Sequence, residues 1–595
     1  MAFSYKAPTI SPSQSSTPDI APPSRTYQKD LDQYLDSIQP PPTRYGHPVP
    51  PCWVPLQDQP VRHPRKLRMV TIGGGISAMN LAYMVQHEKK LDDIVECRIY
   101  EKDPVLGGTW AVNTYPGVAC DVPAHIYTFP FEPNPDWSAF YAGGQEIHDY
   151  FMRTVKKYKL DRDVKTDHKI VHAQFDDYEG IWNLQVQHKD EIFHDWCNIL
   201  VSATGFLSHW KWPDIKGLHD FGALKVHSAA WDERYDYAGK KIAMIGNGSS
   251  AIQIMPELAK KAAHVTNFIR HPTWITPGLG SAVIDGKVNK IYSEEEKTRF
   301  REDAKELNKH RKEIQGGSNK AFAMFVKDSG AQRAAFKSTS EMMLQRLGGD
   351  KHLAGKLTPD WEVGCRRVTP GPGYLEAFTQ SNVSLVTDAI SHIDSTGLVT
   401  KDGTHHDLDV IVCATGFDVS HRPPFPLIGL NGIDLADQWK DEPLSYLSLA
   451  APNFPNMFFF SGPNAPVGHG SLMAGLGWSS AYMCDWLTKI STEDIRHVTP
   501  TQEATEEFNV YGDEIMQGLV WSGGCRSWYK NNRVDGRVTA VWPGSAICYK
   551  EVIDGLRPED FNIVYRARNR WRWMGSGRTA IEGVDGADLA FYLEK

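Results

Sequence analysis

The run Met69-Val70-Thr71-Ile72-Gly73-Gly74-Gly75-Ile76-Ser77-Ala78 decides how this chain is read. An apolar stretch ends in glycines, and the glycines open onto a helix-compatible segment. Gly73, Gly75 and Ala78 occupy the fixed places of G-x-G-x-x-(G/A) at a strand-to-helix turn. Glycines there let the backbone approach a pyrophosphate at a helix N-terminus, where unpaired N–H groups and the helix dipole favour negative charge. A second copy, Gly246-Asn247-Gly248-Ser249-Ser250-Ala251, follows the apolar stretch 242–245, about 170 residues further on. One copy is a weak signal. Two predict two dinucleotides held together, one a flavin and one a nicotinamide, in an enzyme that moves a hydride between them.

Each fingerprint opens a unit. In the first, a strand at 68–72, a helix over about 76–88 and a strand at 96–100 lead to Glu101, an acid placed for the ribose hydroxyls of an FAD adenosine. In the second, which starts near Lys240, the strand 265–269 ends instead at Arg270-His271. An arginine at this point matches a 2′-phosphate, so NADPH is expected rather than NADH. Between the units, 171–175, 182–186 and 198–201 read as a small antiparallel set. The last strand runs into Ala203-Thr204-Gly205, and a twin turn, Ala414-Thr415-Gly416-Phe417, follows 410–413. Both turns are expected where the chain crosses between nucleotide units.

Residues 293–350 interrupt the second unit with charged helical sequence. Ser293-x-x-Glu296 is a capping box, and Phe300, Ala304, Leu307 and Ile314 form an apolar stripe. An inserted helical pair packed on the body is expected, with a substrate lid as the sharper alternative. Residues 1–66 are rich in Pro and Ser and read as an extended arm with one short helix over 27–38. The expected fold class is α/β, with two Rossmann-like dinucleotide-binding domains (FAD and NADP) and a helical insertion. The arm spans 1–66 and the first part of the FAD domain 67–220. The NADP domain spans 221–390, with its insertion at about 281–355. The second part of the FAD domain and a C-terminal segment span 391–595.

At 595 residues the chain is too long for one core. A net charge of −8 argues against nucleic acid as a partner, which needs clustered Lys and Arg. Nine scattered cysteines, an odd number with no C-x-x-C pair, predict neither a disulfide framework nor a zinc site. They fit a reducing compartment and weaken a disulfide-reductase reading. No run of about 18 apolar residues predicts a membrane span. The N-terminus lacks a basic-then-apolar leader, so the cytoplasm is the expected location.

The stretch Gly108-Thr109-Trp110-Ala111-Val112-Asn113-Thr114-Tyr115-Pro116-Gly117-Val118-Ala119-Cys120-Asp121 fits G-x-W-x-x-x-x-(F/Y)-P-G-x-x-x-D at every fixed place. Read by itself, it is a Gly- and aromatic-rich loop suited to lining a flavin ring. With the two fingerprints it makes the chain, over about 66–575, resemble the Baeyer–Villiger monooxygenases, the class B flavoprotein monooxygenases. Their linker pattern F-x-G-x-x-x-H-x-x-x-W-(P/D) appears at 221–232, with Phe221, His227, Trp231 and Asp232 in register. Ala223 stands at the glycine place and Gly222 one position early. The segment Cys365-Arg366-Arg367-Val368 resembles the one carrying the family's active-site arginine, and its spacing to Glu376 selects Arg367. Weaker likenesses are Arg270-His271-Pro272-Thr273-Trp274, the loop Ser461-Gly462-Pro463-Asn464-Ala465-Pro466, and the C-terminal Cys525-Arg526-Ser527-Trp528-Tyr529-Lys530 and Val541-Trp542-Pro543-Gly544. The last two are shared with fungal biosynthetic members.

The resemblance implies specific roles. Arg367, paired with Asp121, would stabilise negative charge as oxygen transfers to a ketone carbonyl, a task for a cation that stays protonated. His227 and Trp231 would link the domains. FAD would rest on Gly73, Gly75, Ala78, Glu101, Gly108, Thr109, Trp110, Asp121 and Tyr127. NADP would rest on Cys120, Gly246, Asn247, Gly248, Ser249, Ser250, Ala251, Gln253, Arg270 and His271. The expected activity is FAD- and NADPH-dependent oxygen insertion beside a ketone carbonyl, using O2 and a bulky secondary-metabolite ketone. The alternatives are N- or S-hydroxylation, and a flavin-binding redox protein without oxygenation.

Overall fold

The computed structural model describes residues 27–593; residues 1–26 of the expected arm lie outside them. Two five-stranded parallel sheets organise the chain. The first runs, edge to edge, Met457–Phe459, Ile199–Ser202, Leu67–Ile72, Val95–Tyr100, Val164–Lys165. The second runs Leu224–His227, Val410–Cys413, Lys241–Ile245, His264–Phe268, Val383–Val386. Leu67–Ile72 and Val410–Cys413 are buried along their whole length, as central strands covered on both faces must be. The helix expected over 76–88 is Ile76–Tyr83 continued by a π-helical turn, Met84–Glu88.

In both sheets the fingerprint strand is central, and its neighbour is the strand that ends in Ala-Thr-Gly. The two turns are built alike. Gly73 has φ +104°, and a Cβ there would lie 2.6 Å from the Ala203 carbonyl oxygen. Gly246 has φ +114°, and a Cβ would lie 2.4 Å from the Ala414 carbonyl oxygen. Each Ala-Thr-Gly turn therefore backs the first glycine of its own unit. Beyond them the two crossings touch: Trp210 and Phe417 form a β-bridge, and Asp418 N–H donates to the His209 carbonyl at 2.7 Å.

The second unit does not close at residue 390. Its sheet takes Val410–Cys413 as its second strand, after an antiparallel excursion of Ile390–Ile393, Gly397–Thr400 and His405–Asp407. The antiparallel set also differs from expectation. Its strands are His168–Asp176, Ile181–His188 and Glu191–Cys197, joined by Leu427–Ile428, whereas Ile199–Ser202 belongs to the parallel sheet. Glu191–Cys197 is solvent-facing over most of its length and carries no apolar alternation to read.

The insertion holds four helices, Glu294–Glu302, Ala304–Lys320, Gly330–Arg346 and Lys351–Leu357. The Ser293–Glu296 capping box forms, and Asp303 caps the next helix, so the stripe is split across two helices. Phe300, Leu307 and Ile314 join the core of the FAD-type unit, while Met343, Leu347 and Leu357 join that of the second unit. Ala304 is exposed. The insertion thus bridges the two units. The short helix of the arm is Gln28–Ser37, and farther along the arm the Trp53 carbonyl accepts a hydrogen bond from Arg568.

The expectation of no disulfide is overturned. Cys365 and Cys525, both buried, are bonded across 160 residues of sequence. Pair spacing along the chain cannot reveal a bridge between segments that only folding brings together. Among the described residues no helix is long and apolar enough to cross a membrane.

Candidate functional site

The first glycine turn leaves backbone donors open at a helix N-terminus. Gly75 is the N-cap of Ile76–Tyr83 with no side chain capping it, so the first-turn N–H groups are left for a ligand. Gly108, at φ +53°, faces it so closely that a Cβ would lie 3.3 Å from the Gly75 Cα. Two bare backbones thus flank one space. The Glu101 carboxylate is buried beside it and accepts from Gly74 N–H at 2.6 Å and Asp103 N–H at 2.9 Å. A carboxylate has about four acceptor positions, so capacity remains for ribose hydroxyls. Thr109 and Trp110 start the next helix, Thr109–Val112, and the Trp110 indole donates to the Tyr127 hydroxyl at 3.3 Å. Burial raises the Tyr127 pKa, keeping that phenol neutral. Ala78 is buried against the sheet. These residues fit FAD.

The second turn repeats the plan. Gly248 caps Ser249–Ala259 without a side-chain hydrogen bond, and the space where its Cβ would be is open. The Asn247 amide donates to the His271 carbonyl at 2.7 Å, fastening the turn to the Arg270-His271 loop. Ser249 Oγ lies 3.3 Å from Thr369 Oγ1, Ser250 stands in the first turn of the same helix, and Ala251 is buried.

Beside this turn lies a cation cluster that sequence reasoning found only in part. Arg366 reaches from the other side, donating to the Arg526 carbonyl at 2.5 Å and the Pro272 carbonyl at 3.3 Å. Burial, then repulsion from Arg526 and Arg270, lowers its pKa to about 10. Burial, then Arg366, Arg270 and Arg526, likewise lowers the pKa of His271. The charges that shift both groups are guanidiniums. Three guanidiniums next to a glycine turn fit a 2′-phosphate. Arg366 and Arg526 were passed over because nothing in their spacing relates them to Arg270.

Asp121 and Arg367, 246 residues apart in sequence, meet in a bidentate pair. Arg367 Nε donates to Oδ2 at 2.6 Å and Nη2 to Oδ1 at 2.7 Å, while Nη1 donates to the Val467 carbonyl at 2.8 Å. Burial opposes the charge on Arg367, but Asp121 outweighs it and raises the guanidinium pKa above its ordinary value. Nη1 and Nη2 each keep one N–H to spare. The result is a permanent, oriented cation with unused donors, where the 365–369 segment, the 461–467 loop and the 108–121 loop converge.

The other expected residues lie elsewhere. His227 is fully buried, stacked on Trp210 at 4.4 Å and edge-on to Phe417, at the junction of the two crossings. Its Nδ1 accepts from Ala229 N–H at 3.1 Å, so the ring proton belongs on Nε2. Trp231 stacks on Tyr237 at 4.8 Å within the second unit. Gln253 spends its amide across the units, accepting from Tyr115 and donating to the Ala119 carbonyl, both at 2.9 Å. Cys120 is buried in the first core, where burial raises its thiol pKa, and its N–H donates to the Ala142 carbonyl. The Gln253 amide keeps one N–H and one acceptor position beyond its bonds to Tyr115 and Ala119. Ala223 is exposed, and Gly222 is needed where it is because a Cβ would lie 2.9 Å from the Ser395 carbonyl.

The similarities of the chain agree with this geometry. The family described as NAD(P)-binding Rossmann-like domain matches residues 71–143. Pyridine nucleotide-disulphide oxidoreductase matches 131–329, although the chain has no C-x-x-C pair. An FAD-binding monooxygenase of Aspergillus terreus, tazF, is 42% identical over 541 residues, covering 89% of this chain and 95% of that protein. A Baeyer–Villiger monooxygenase of Pseudomonas aeruginosa is 32% identical over 485 residues, covering 81% and 88%. The structure of cyclohexanone monooxygenase from Rhodococcus bound to NADP+ superposes with a TM-score of 0.72 at 26% identity, covering 84% of this chain and all of that one. Two stacked nucleotide units, an arginine fixed between them and relatives of this length place the chain in the family of FAD-binding monooxygenases of Baeyer–Villiger type.

Proposed function

We propose that the protein inserts one oxygen atom of O2 beside a ketone carbonyl. NADPH, a proton, O2 and the ketone give NADP+, water and an ester or lactone. The observation that carries this reading is the Asp121-held Arg367, with donors to spare, at the meeting of the two nucleotide units. Bound FAD, reduced by NADPH, supplies the activation of O2. The chain's own residues do the rest. The two uncapped helix N-termini hold the two diphosphates, Glu101 the adenosine ribose, and Arg270, Arg366 and Arg526 the 2′-phosphate. Arg367 stabilises the negative charge that builds on oxygen at the reacting centre, and Asp121 fixes its orientation. His227 steadies the crossings.

The substrate class is a bulky secondary-metabolite ketone, a reading supported by fungal relatives such as tazF and the stcW monooxygenase of Emericella nidulans. The cytoplasm is the proposed setting. Complete burial of Cys365 and Cys525 would shield their bond from small reductants there.

The test is product mass under 18O2 with cyclic and polycyclic ketones. Wild-type protein is expected to yield a lactone with one labelled oxygen. Arg367→Ala is expected to keep its flavin and lose about 10²–10³ in the oxygenation rate. Undiminished ester formation by that variant rejects the role of Arg367. Oxygenation of amines or sulfides in place of ketones rejects the reaction class.

A further inference from the structure

The Arg367 loop is joined to the C-terminal segment by the Cys365–Cys525 bond, and that segment delivers Tyr529. The Tyr529 ring is fully buried, edge-on to Trp528 at 4.5 Å, in a core with Phe325, Ala465, Val467 and Val541. Its backbone is fully used: N–H donates to Ser527 Oγ, and the carbonyl accepts from Thr539 and Ala540. No group among the described residues accepts its hydroxyl proton. The charged groups near it are the Arg367 guanidinium, which can donate to the hydroxyl oxygen, and the Asp121 carboxylate, whose two oxygens already accept from Arg367. A guanidinium only donates, so it cannot accept the phenolic proton. Burial pushes the phenol up to about 12, against the opposing pull of Arg367, so the proton is retained at working pH.

Burying a hydroxyl with no acceptor costs free energy that phenylalanine in the same place would avoid. Beside Tyr529 is the Arg367 guanidinium, whose Nη1 and Nη2 each have one N–H outside the Asp121 and Val467 bonds. We propose that Tyr529 is a further ligand-contacting residue, whose hydroxyl, next to Arg367, donates to a carbonyl oxygen brought by a bound ligand. Two neighbouring donors aimed at one oxygen would polarise that carbonyl and hold it in place. The oxygen belongs either to the substrate ketone or to the nicotinamide carboxamide. The assignment rests on the oxygenase reading above, since that reading supplies both carbonyls.

The experiment is Tyr529→Phe in the FAD-loaded protein. Without NADP+, its melting temperature is expected to equal or exceed that of the wild type, because a hydroxyl without an acceptor is removed and the ring is kept. If the ketone is the acceptor, NADP+ affinity and the rate of flavin reduction stay within about twofold of wild type. Ester formed per NADPH then falls by about tenfold or more while hydrogen peroxide rises. If the carboxamide is the acceptor, NADP+ affinity falls by about tenfold and flavin reduction slows. A variant that melts several degrees lower shows a structural hydroxyl and overturns the proposal, as does one unchanged in every readout. A wild-type protein that makes only hydrogen peroxide with all ketones would overturn the oxygenase reading; a fall in NADP+ affinity in Tyr529→Phe would then still support the carboxamide contact, and unchanged affinity would overturn the proposal as well.

Discussion

The cation cluster makes coenzyme choice a quantitative prediction. Arg366 is half-buried, while Arg270 and Arg526 are exposed. A hydrogen bond to a charged group contributes about 1.5–3 kcal/mol, and exposure and salt reduce it. Arg366→Ala should therefore cost NADPH about 2 kcal/mol, roughly 30-fold in affinity, and Arg270→Ala about 1 kcal/mol, roughly fivefold. NADH lacks the phosphate and should respond to neither. The assay is anaerobic stopped-flow reduction of the flavin with each coenzyme, at low and at moderate salt. Wild type should prefer NADPH, with the preference shrinking as salt rises. Arg366 also packs over the Trp361 ring at 5.3 Å, so the variant tests packing as well. A parallel loss with NADPH and NADH would mean that packing, not phosphate recognition, is its role. An unchanged NADPH-to-NADH ratio in both variants would refute the reasoning.

Further predictions separate the two units and their supports. Gly73→Ala and Gly246→Ala each force a side chain onto a carbonyl at positive φ, at about 1–3 kcal/mol of strain plus overpacking. The first should purify without flavin. The second should stay yellow but resist reduction by NADPH, and reduction at the wild-type rate would reject the assignment. Burial lowers the His227 pKa to about 4, against about 6.5 in the unfolded chain. The folded state then binds fewer protons, so this contribution is complete above about pH 6.5 and is lost as pH falls toward 4, by up to about 3 kcal/mol. In His227→Gln the melting temperature should fall less steeply over that window; equal slopes would exclude His227 as a source. Cys525→Ser should lose about 2–4 kcal/mol of stability, seen as a lower melting temperature that reductant no longer changes.

The parts of the fold legible in the sequence are those where one residue type is obligatory. Only glycine fits against Ala203 and Ala414, so both fingerprints and their turns can be read directly. Glu101 follows because a strand end sets its place. Asp121 and Arg367 are 246 residues apart, and their pairing was legible only through resemblance. The rest depends on tertiary encounter. Val410–Cys413 carries the same apolar pattern whichever sheet it joins. Gln253 has a polar side chain on the right helix, but its direction is set by Tyr115 and Ala119 from the other unit. Arg526, Cys525 and Tyr529 lie on a segment whose sequence says little about what it lies against.

The Cys365–Cys525 bond also changes the topology of the molecule. The backbone itself links the nucleotide units by two adjacent crossings, and the helical insertion packs on both. The bridge closes residues 365–525 into a covalent ring that contains a strand of the first sheet, two strands of the second and the long buried helix Leu472–Thr492. A protease cut anywhere on that ring would leave the pieces tied together, moving as one species on a gel until a reductant parts them. The two nucleotide units accordingly form a frame with a third covalent fastening, and any relative motion during turnover has to carry the joined 365 and 525 segments together.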